Sequence, residues 1–85
     1  ALVRVEMYSK TTCPYCIRAN ELLASKGVRP ETYNLDAGGP KRTEMIERTG
    51  RATVPQIFIG GRHVGGCDDL FALERSGKLD ALLNA

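Results

Sequence analysis

Two of the three cysteines in this 85-residue chain stand as Cys13-Pro14-Tyr15-Cys16, a spacing that can carry thiol chemistry. Proline suits the first helical position, because its φ is preset and its missing N–H would have no partner there. Pro14 therefore marks Cys13 as the N-cap of a helix. A sulfur at that position faces the free N–H groups of the first turn and the positive end of the helix dipole, and both favour thiolate over thiol. Cys16 falls one turn later on the same face, about 5–6 Å away and within disulfide reach. The helix shields it, so its thiol is expected to be the less ionised of the two. An accessible thiolate beside a shielded thiol makes a reversible redox pair: the first attacks a disulfide and the second resolves the mixed disulfide. Two other chemistries compete. Inert core filler fits poorly with the polar lead-in Ser9-Lys10-Thr11-Thr12. A zinc site would need four ligands, and only Cys67 and His63 remain to complete the set. Those two are not in knuckle spacing, and alternation along Arg62-His63-Val64 turns His63 away.

The elements that must position this pair can be read from periodicity and punctuation. Residues 2–8 alternate, with Val3, Val5 and Met7 on one side and Arg4 and Glu6 on the other, as in a strand with one better-buried face. From Pro14 a helical stripe of Cys16, Ala19 or Asn20, and Leu23, joined by Ile17 and Leu22, runs to a stop at Lys26-Gly27. Thr32–Leu35 reads as a short second strand. Asp36–Pro40 is a turn, and Lys41–Thr49 is a charged helix closed by Gly50. Gln56–Ile59 and Arg62–Val64 form a hairpin around Gly60-Gly61. A last helix runs from about Asp68 toward Gly77, with Leu79, Leu82 and Leu83 packing behind it. The order β-α-β-α-β-β-α implies an α/β domain: a parallel crossover followed by an antiparallel hairpin, hence a mixed sheet with helices on its faces.

Composition bounds the rest. The length makes room for one domain, residues 1–85, and no repeat or linker divides it. Twelve basic against ten acidic residues leave a net charge of +2 with no basic block, which gives no reason to expect nucleic acid or an anionic membrane as partner. No apolar run approaches the roughly 20 residues of a membrane span. Arg4 and Glu6 interrupt the first apolar stretch, so no signal peptide is expected. An odd cysteine count argues against a framework of paired structural disulfides.

Thr12–Cys16 (TCPYC) at the head of the first helix, Thr53-Val54-Pro55 (TVP), and Gly65–Leu70 (GGCDDL) stand in an order and spacing that cover essentially the whole chain. Together they resemble the glutaredoxins, in particular the small bacterial dithiol type. The resemblance implies a thioredoxin-like fold with a four-stranded mixed sheet. It implies a glutathione-dependent thiol–disulfide oxidoreductase acting on protein disulfides and glutathione mixed disulfides, with Cys13 as nucleophile and Cys16 as resolving thiol. Glutathione would be reductant and co-substrate, with no tightly bound cofactor. Disulfide-containing or glutathionylated client proteins, ribonucleotide reductase among them, would be partners, and glutathione reductase an indirect one. A cytoplasmic monomer is the implied setting.

The remaining site residues combine residue chemistry with that resemblance. Trans is the default for the bond before Pro55; the resemblance implies cis, with the Val54 backbone exposed beside Cys13 for a peptide-like substrate to pair with. Gly65-Gly66 lets the backbone come close, and Cys67-Asp68-Asp69 opens the last helix. Free N–H groups there can hold a carboxylate, and an aspartate can meet an ammonium. The γ-glutamyl end of glutathione carries both groups. Its glycine carboxylate could be drawn to Lys10 and, as a weaker candidate, Arg42. Tyr15 resembles the family's aromatic that flanks the substrate, and Thr53 belongs to the same loop as Val54. Plain alternatives stand beside each: Asp68 and Asp69 as ordinary first-turn residues, Lys10, Arg42 and Tyr15 as solvated surface, Pro55 as a turn proline. Cys67 is left without a partner once Cys13 and Cys16 bridge, and its backbone N–H is expected to matter more than its sulfur.

Two further functions compete with the glutathione reading. A redoxin fed by thioredoxin reductase is disfavoured by the set Lys10, TVP and GGCDD and by the absence of tryptophan. An iron–sulfur carrier, holding a cluster between two subunits through the first cysteine and glutathione, is disfavoured by Pro14. Brown colour after anaerobic purification would reveal the latter.

Overall fold

The alternating segment at the start of the chain becomes the strand around which everything else is built. In the computed structural model, which describes residues 3–84, β1 spans Val5–Ser9, α1 Pro14–Ser25, β2 Glu31–Asn34, α2 Pro40–Thr49, β3 Gln56–Ile59, β4 Arg62–Gly65, α3 Cys67–Arg75 and α4 Leu79–Leu83. The sheet order is β2-β1-β3-β4. β1 is parallel to β2 (Met7 opposite Thr32) and antiparallel to β3 (Met7 opposite Ile57), and β3 is antiparallel to β4. Among the described residues no helix is long and apolar enough to cross a membrane.

The expectation of one better-buried face on the first strand needs correction. All five residues of β1 are buried, Glu6 and Tyr8 included. The reason is position: β1 is an inner strand, and helices cover both of its faces. Val5, Met7, Ile57 and Ile59 pack with Ala19 and Leu23 of α1, Leu70 of α3, and Leu79 and Leu83 of α4. On the other face Tyr8 and Phe58 pack with Leu35 and with Met45 of α2. The strand also starts at Val5 rather than residue 2, which lies outside the described residues. Ile17 leaves the predicted stripe of α1 and is 53% exposed. The C-terminal leucines form a helix of their own, because the chain turns at Ser76-Gly77, with Gly77 at φ 75°, and redirects α4 onto the core.

Burying Glu6 requires partners. Its carboxylate accepts hydrogen bonds from Tyr33 Oη (2.9 Å) and Arg48 Nη1 (3.2 Å). The Arg48 guanidinium also donates to Tyr8 Oη and lies 3.8 Å from the Phe58 ring centroid. Burial alone would push the Glu6 carboxyl up, but the hydrogen bonds from Arg48 and Tyr33 and the charges of Arg48 and Arg4 outweigh it, and the net direction is down. A carboxyl held low contributes stability above its unfolded value of about 4.3, and loses that contribution as pH falls through the folded value. Glu6→Gln is therefore expected to cost about 1–2 kcal/mol at pH 7. The difference should fade below about pH 4, as urea denaturation at pH 7 and pH 3 would show. A cost that stayed constant with pH would assign it to packing instead.

Candidate active site

The loop from β1 to α1 is fastened before it reaches Cys13. Thr11 donates its backbone N–H (2.9 Å) and its hydroxyl to the Asp36 carboxylate, and Asn34 Nδ2 donates to Thr11 Oγ1 (3.0 Å). The Cys13 N–H then closes a turn on Lys10 O (3.3 Å). Cys13 is the N-cap of α1, with extended backbone at φ −90° and ψ 111°, and Pro14 begins the first turn. Its half-buried sulfur accepts the Cys16 N–H at 3.3 Å and lies 3.8 Å from Val54 O. Cys16 heads the stripe Cys16, Ala19, Leu23 that faces the core. It is only 3% exposed, and burial first, then the hydrogen bond with Cys13, pushes its thiol up. The two sulfurs thus differ in access: Cys13 is half-buried and Cys16 buried.

Two further loops meet this helix start. The Val54–Pro55 bond is cis, and Pro55 is buried directly before β3. Gln56, 1% exposed, donates Nε2 to Thr53 O (3.1 Å) and to Thr53 Oγ1 (3.3 Å). Its Oε1 therefore faces His63 Nε2 at 2.8 Å as acceptor, so that His63 nitrogen carries the hydrogen. Burial, followed by the nearby Arg51 charge, pushes His63 down and keeps it neutral at pH 7. No group of three or more His, Cys, Asp or Glu side chains able to hold a metal is present among the described residues.

The third loop is shaped around Asp69. Its Oδ2 accepts the Gly66 N–H at 3.0 Å, capping α3 from the third position, and faces Arg51 Nη1 at 3.4 Å. Gly65, at φ 124°, leaves the space that this carboxylate fills. A Cβ on Gly66 would stand 3.3 Å from Pro55 O, so glycine lets the two loops approach. Between them opens a cavity of about 230 Å³ bordered by Tyr15, Thr53, Val54, Pro55, Gly66, Cys67, Asp68 and Asp69.

Lys10 and Arg42 are not part of that cleft. Lys10 is exposed and borders a separate cavity with Cys16, Ile17 and Asn20. Arg42 is exposed in the first turn of α2. Two cleft residues escaped the sequence reading. Arg51 supplies the cation on the cleft wall, and Gln56 pins Thr53. Only their closeness to Thr53-Val54-Pro55 hinted at either.

Cys67 is 5% exposed, and burial pushes its thiol up. An oxidation-prone surface thiol is thereby set aside. Cys67→Ser is expected to keep thiol turnover within about threefold and to leave the non-reducing gel pattern monomeric, as for the parent. A loss above about tenfold, roughly 1.4 kcal/mol of barrier, would give the sulfur a role in the reaction.

A family model described as Glutaredoxin matches residues 5–64, which contain Cys13, Cys16 and the Val54–Pro55 bond. The chain belongs to the glutaredoxin family. It is 57% identical over 82 residues to Glutaredoxin 3 of Escherichia coli K12, covering 96% of this chain and 99% of that one. Identity to the glutaredoxin of Pseudomonas aeruginosa PAO1 is 56% over 81 residues, covering 95% and 96%. Among solved structures, the buckwheat glutaredoxin–glutathione complex superposes with a TM-score of 0.87 at 38% identity, covering 96% of this chain and 77% of that one. The solution structure of glutaredoxin from Brucella melitensis gives 0.83 at 56% identity, covering 96% and 89%. Glutaredoxins are thiol–disulfide oxidoreductases of thioredoxin-like fold, and this chain is one of them.

Proposed function

We propose that this glutaredoxin is glutathione-dependent, with Cys13 as nucleophile and Cys16 as resolving thiol. The observation that carries the reading is the asymmetry of the pair: a half-buried Cys13 sulfur capping α1 beside Val54 O, and a Cys16 sulfur in the core stripe behind it. With a glutathione mixed disulfide, the Cys13 thiolate attacks the glutathione sulfur. The client thiolate leaves, and Cys13 is glutathionylated. A second glutathione thiolate then attacks that glutathione sulfur, forming glutathione disulfide and freeing Cys13. With a protein disulfide, Cys13 forms a mixed disulfide with the client. Cys16 gives up its proton and attacks the Cys13 sulfur, the client leaves as a dithiol, and two glutathione molecules reduce the Cys13–Cys16 disulfide.

The cleft supports glutathione as that thiol. The α3 N-terminus presents the Cys67 and Asp68 N–H groups to the γ-glutamyl carboxylate. Asp68 and Asp69 face its ammonium, Val54 offers its backbone to the cysteinyl part, and Tyr15, 55% exposed, flanks it. Arg51 beside Asp69 supplies a cation on the cleft wall, and Lys10, outside that wall on the loop of Cys13, is the cation for a glycine carboxylate that extends beyond it. Clients are disulfide-containing or glutathionylated proteins, and the setting is the cytoplasm.

The deciding assay follows reduction of a small glutathione mixed disulfide coupled to glutathione reductase, with thioredoxin reductase as the alternative electron source. Turnover only with thioredoxin reductase would overturn the proposal. Within it, Asp69→Asn should raise KM for the mixed disulfide about three- to tenfold with kcat nearly unchanged, because an ammonium contact is made before and during reaction alike. A fall in kcat at constant KM would leave Asp69 as a helix cap alone.

A further inference from the structure

A further cavity, about 650 Å³, lies between the edge strand β4 and the turn from α3 to α4; none of the three cysteines lines it, and Asp69 borders both it and the cleft. That volume is within the range of small-molecule sites, about 300–1,000 Å³. It exists because α4 buries Leu79 and Leu83 and leaves Ala81 and Leu82 facing outward across from Ala72 and Leu73 of α3. Small residues at Ala72, Gly77 and Ala81 keep that wall recessed, and Ile59 and Val64 supply the apolar wall on the sheet side.

Its charged groups are of two kinds. Asp69 is engaged with the Gly66 N–H and Arg51, and His63 with Gln56. Arg62 and Lys78 make no side-chain hydrogen bond or ion pair with any described residue, so the free charges over this apolar surface are positive. Arg62 and Lys78 are exposed, and two unpartnered cations bordering a recessed apolar wall complement a ligand with an anionic head and an apolar body. We propose that this groove binds a small apolar carboxylate, an acyl or aryl acid, with its apolar body against Ala72, Leu73 and Leu82 and its carboxylate held by Arg62 and Lys78.

Octanoate and octan-1-ol, titrated into the full chain and followed by backbone amide shifts, test this. Octanoate should saturate one site with shifts at Val64, Ala72, Leu73 and Leu82, and octan-1-ol should bind at least about tenfold more weakly. The double variant R62Q/K78Q should lose that preference while keeping its thiol turnover, which reports that it folds. Equal binding of acid and alcohol would overturn the proposal, as would unchanged octanoate binding in the double variant. So would a Kd for octanoate above about 10 mM. Binding of an acidic apolar peptide without binding of octanoate would also overturn it, and would assign the surface to a protein partner.

Discussion

Cys13→Ser is expected to abolish turnover of glutathione mixed disulfides and protein disulfides alike. Cys16→Ser should keep the first activity within about threefold and lose more than about tenfold of the second. Removing a covalent nucleophile typically costs more than about a thousandfold, so residual activity in Cys13→Ser should be indistinguishable from the uncatalysed exchange. The asymmetry follows from position. Cys13 caps α1 next to the Val54 backbone, whereas Cys16 is 3% exposed and can reach only a disulfide already formed on Cys13. Exchange with glutathione needs one accessible sulfur; release of a client as a dithiol needs the second. Parallel steady-state assays on one small mixed disulfide and one protein disulfide decide the matter. Equal loss of both activities in Cys16→Ser would reject the division of roles.

Gly65→Ala should destabilise the protein by about 2–4 kcal/mol and weaken the cleft at the same time. At φ 124° a side chain is strained, at a cost of about 1–3 kcal/mol. Its Cβ would also come 2.2 Å from Asp69 Oδ2, displacing the carboxylate that caps α3 and adding about 1 kcal/mol. For a domain of this size the sum corresponds to a fall in Tm of roughly 8–30 °C. Gly77→Ala is the control: its φ is 75°, but an added Cβ meets nothing within 4 Å, so only the backbone term applies. In an Asp69→Ala background the Gly65→Ala cost should shrink, because the atom it collides with is gone. Thermal unfolding of the parent, the three single variants and the double variant would test this, and a Gly65→Ala cost no larger than that of Gly77→Ala would refute the fitted-space argument.

Local chemistry made much of this legible in advance. Pro14 after Cys13 sets a helix start, Gly27 and Gly50 set helix ends with φ of 76° and 70°, and Gly60-Gly61 sets the hairpin. Each is a short-range steric or hydrogen-bonding preference, carried by the residues themselves, and the cap of α1 stands where those residues put it. Three features needed the assembled molecule. β1 is buried on both faces because the sheet order places it inside and α2 closes its second side, which turns Glu6 from a surface residue into a buried carboxylate paired with the partly exposed Arg48 and the exposed Arg4. The Leu79–Leu83 segment became a separate helix because the core, not its own pattern, sets the angle after Gly77. The cleft wall acquired Arg51 and the Gln56–His63 tie, and excluded Lys10 and Arg42, through contacts between residues far apart in the chain, such as Arg51 with Asp69. Spacing along the chain determined which residues could cap, turn and react. Which side chains share a wall depended on how the loops after β1, α2 and β4 converge, and that convergence is decided by the packing of both faces of the sheet.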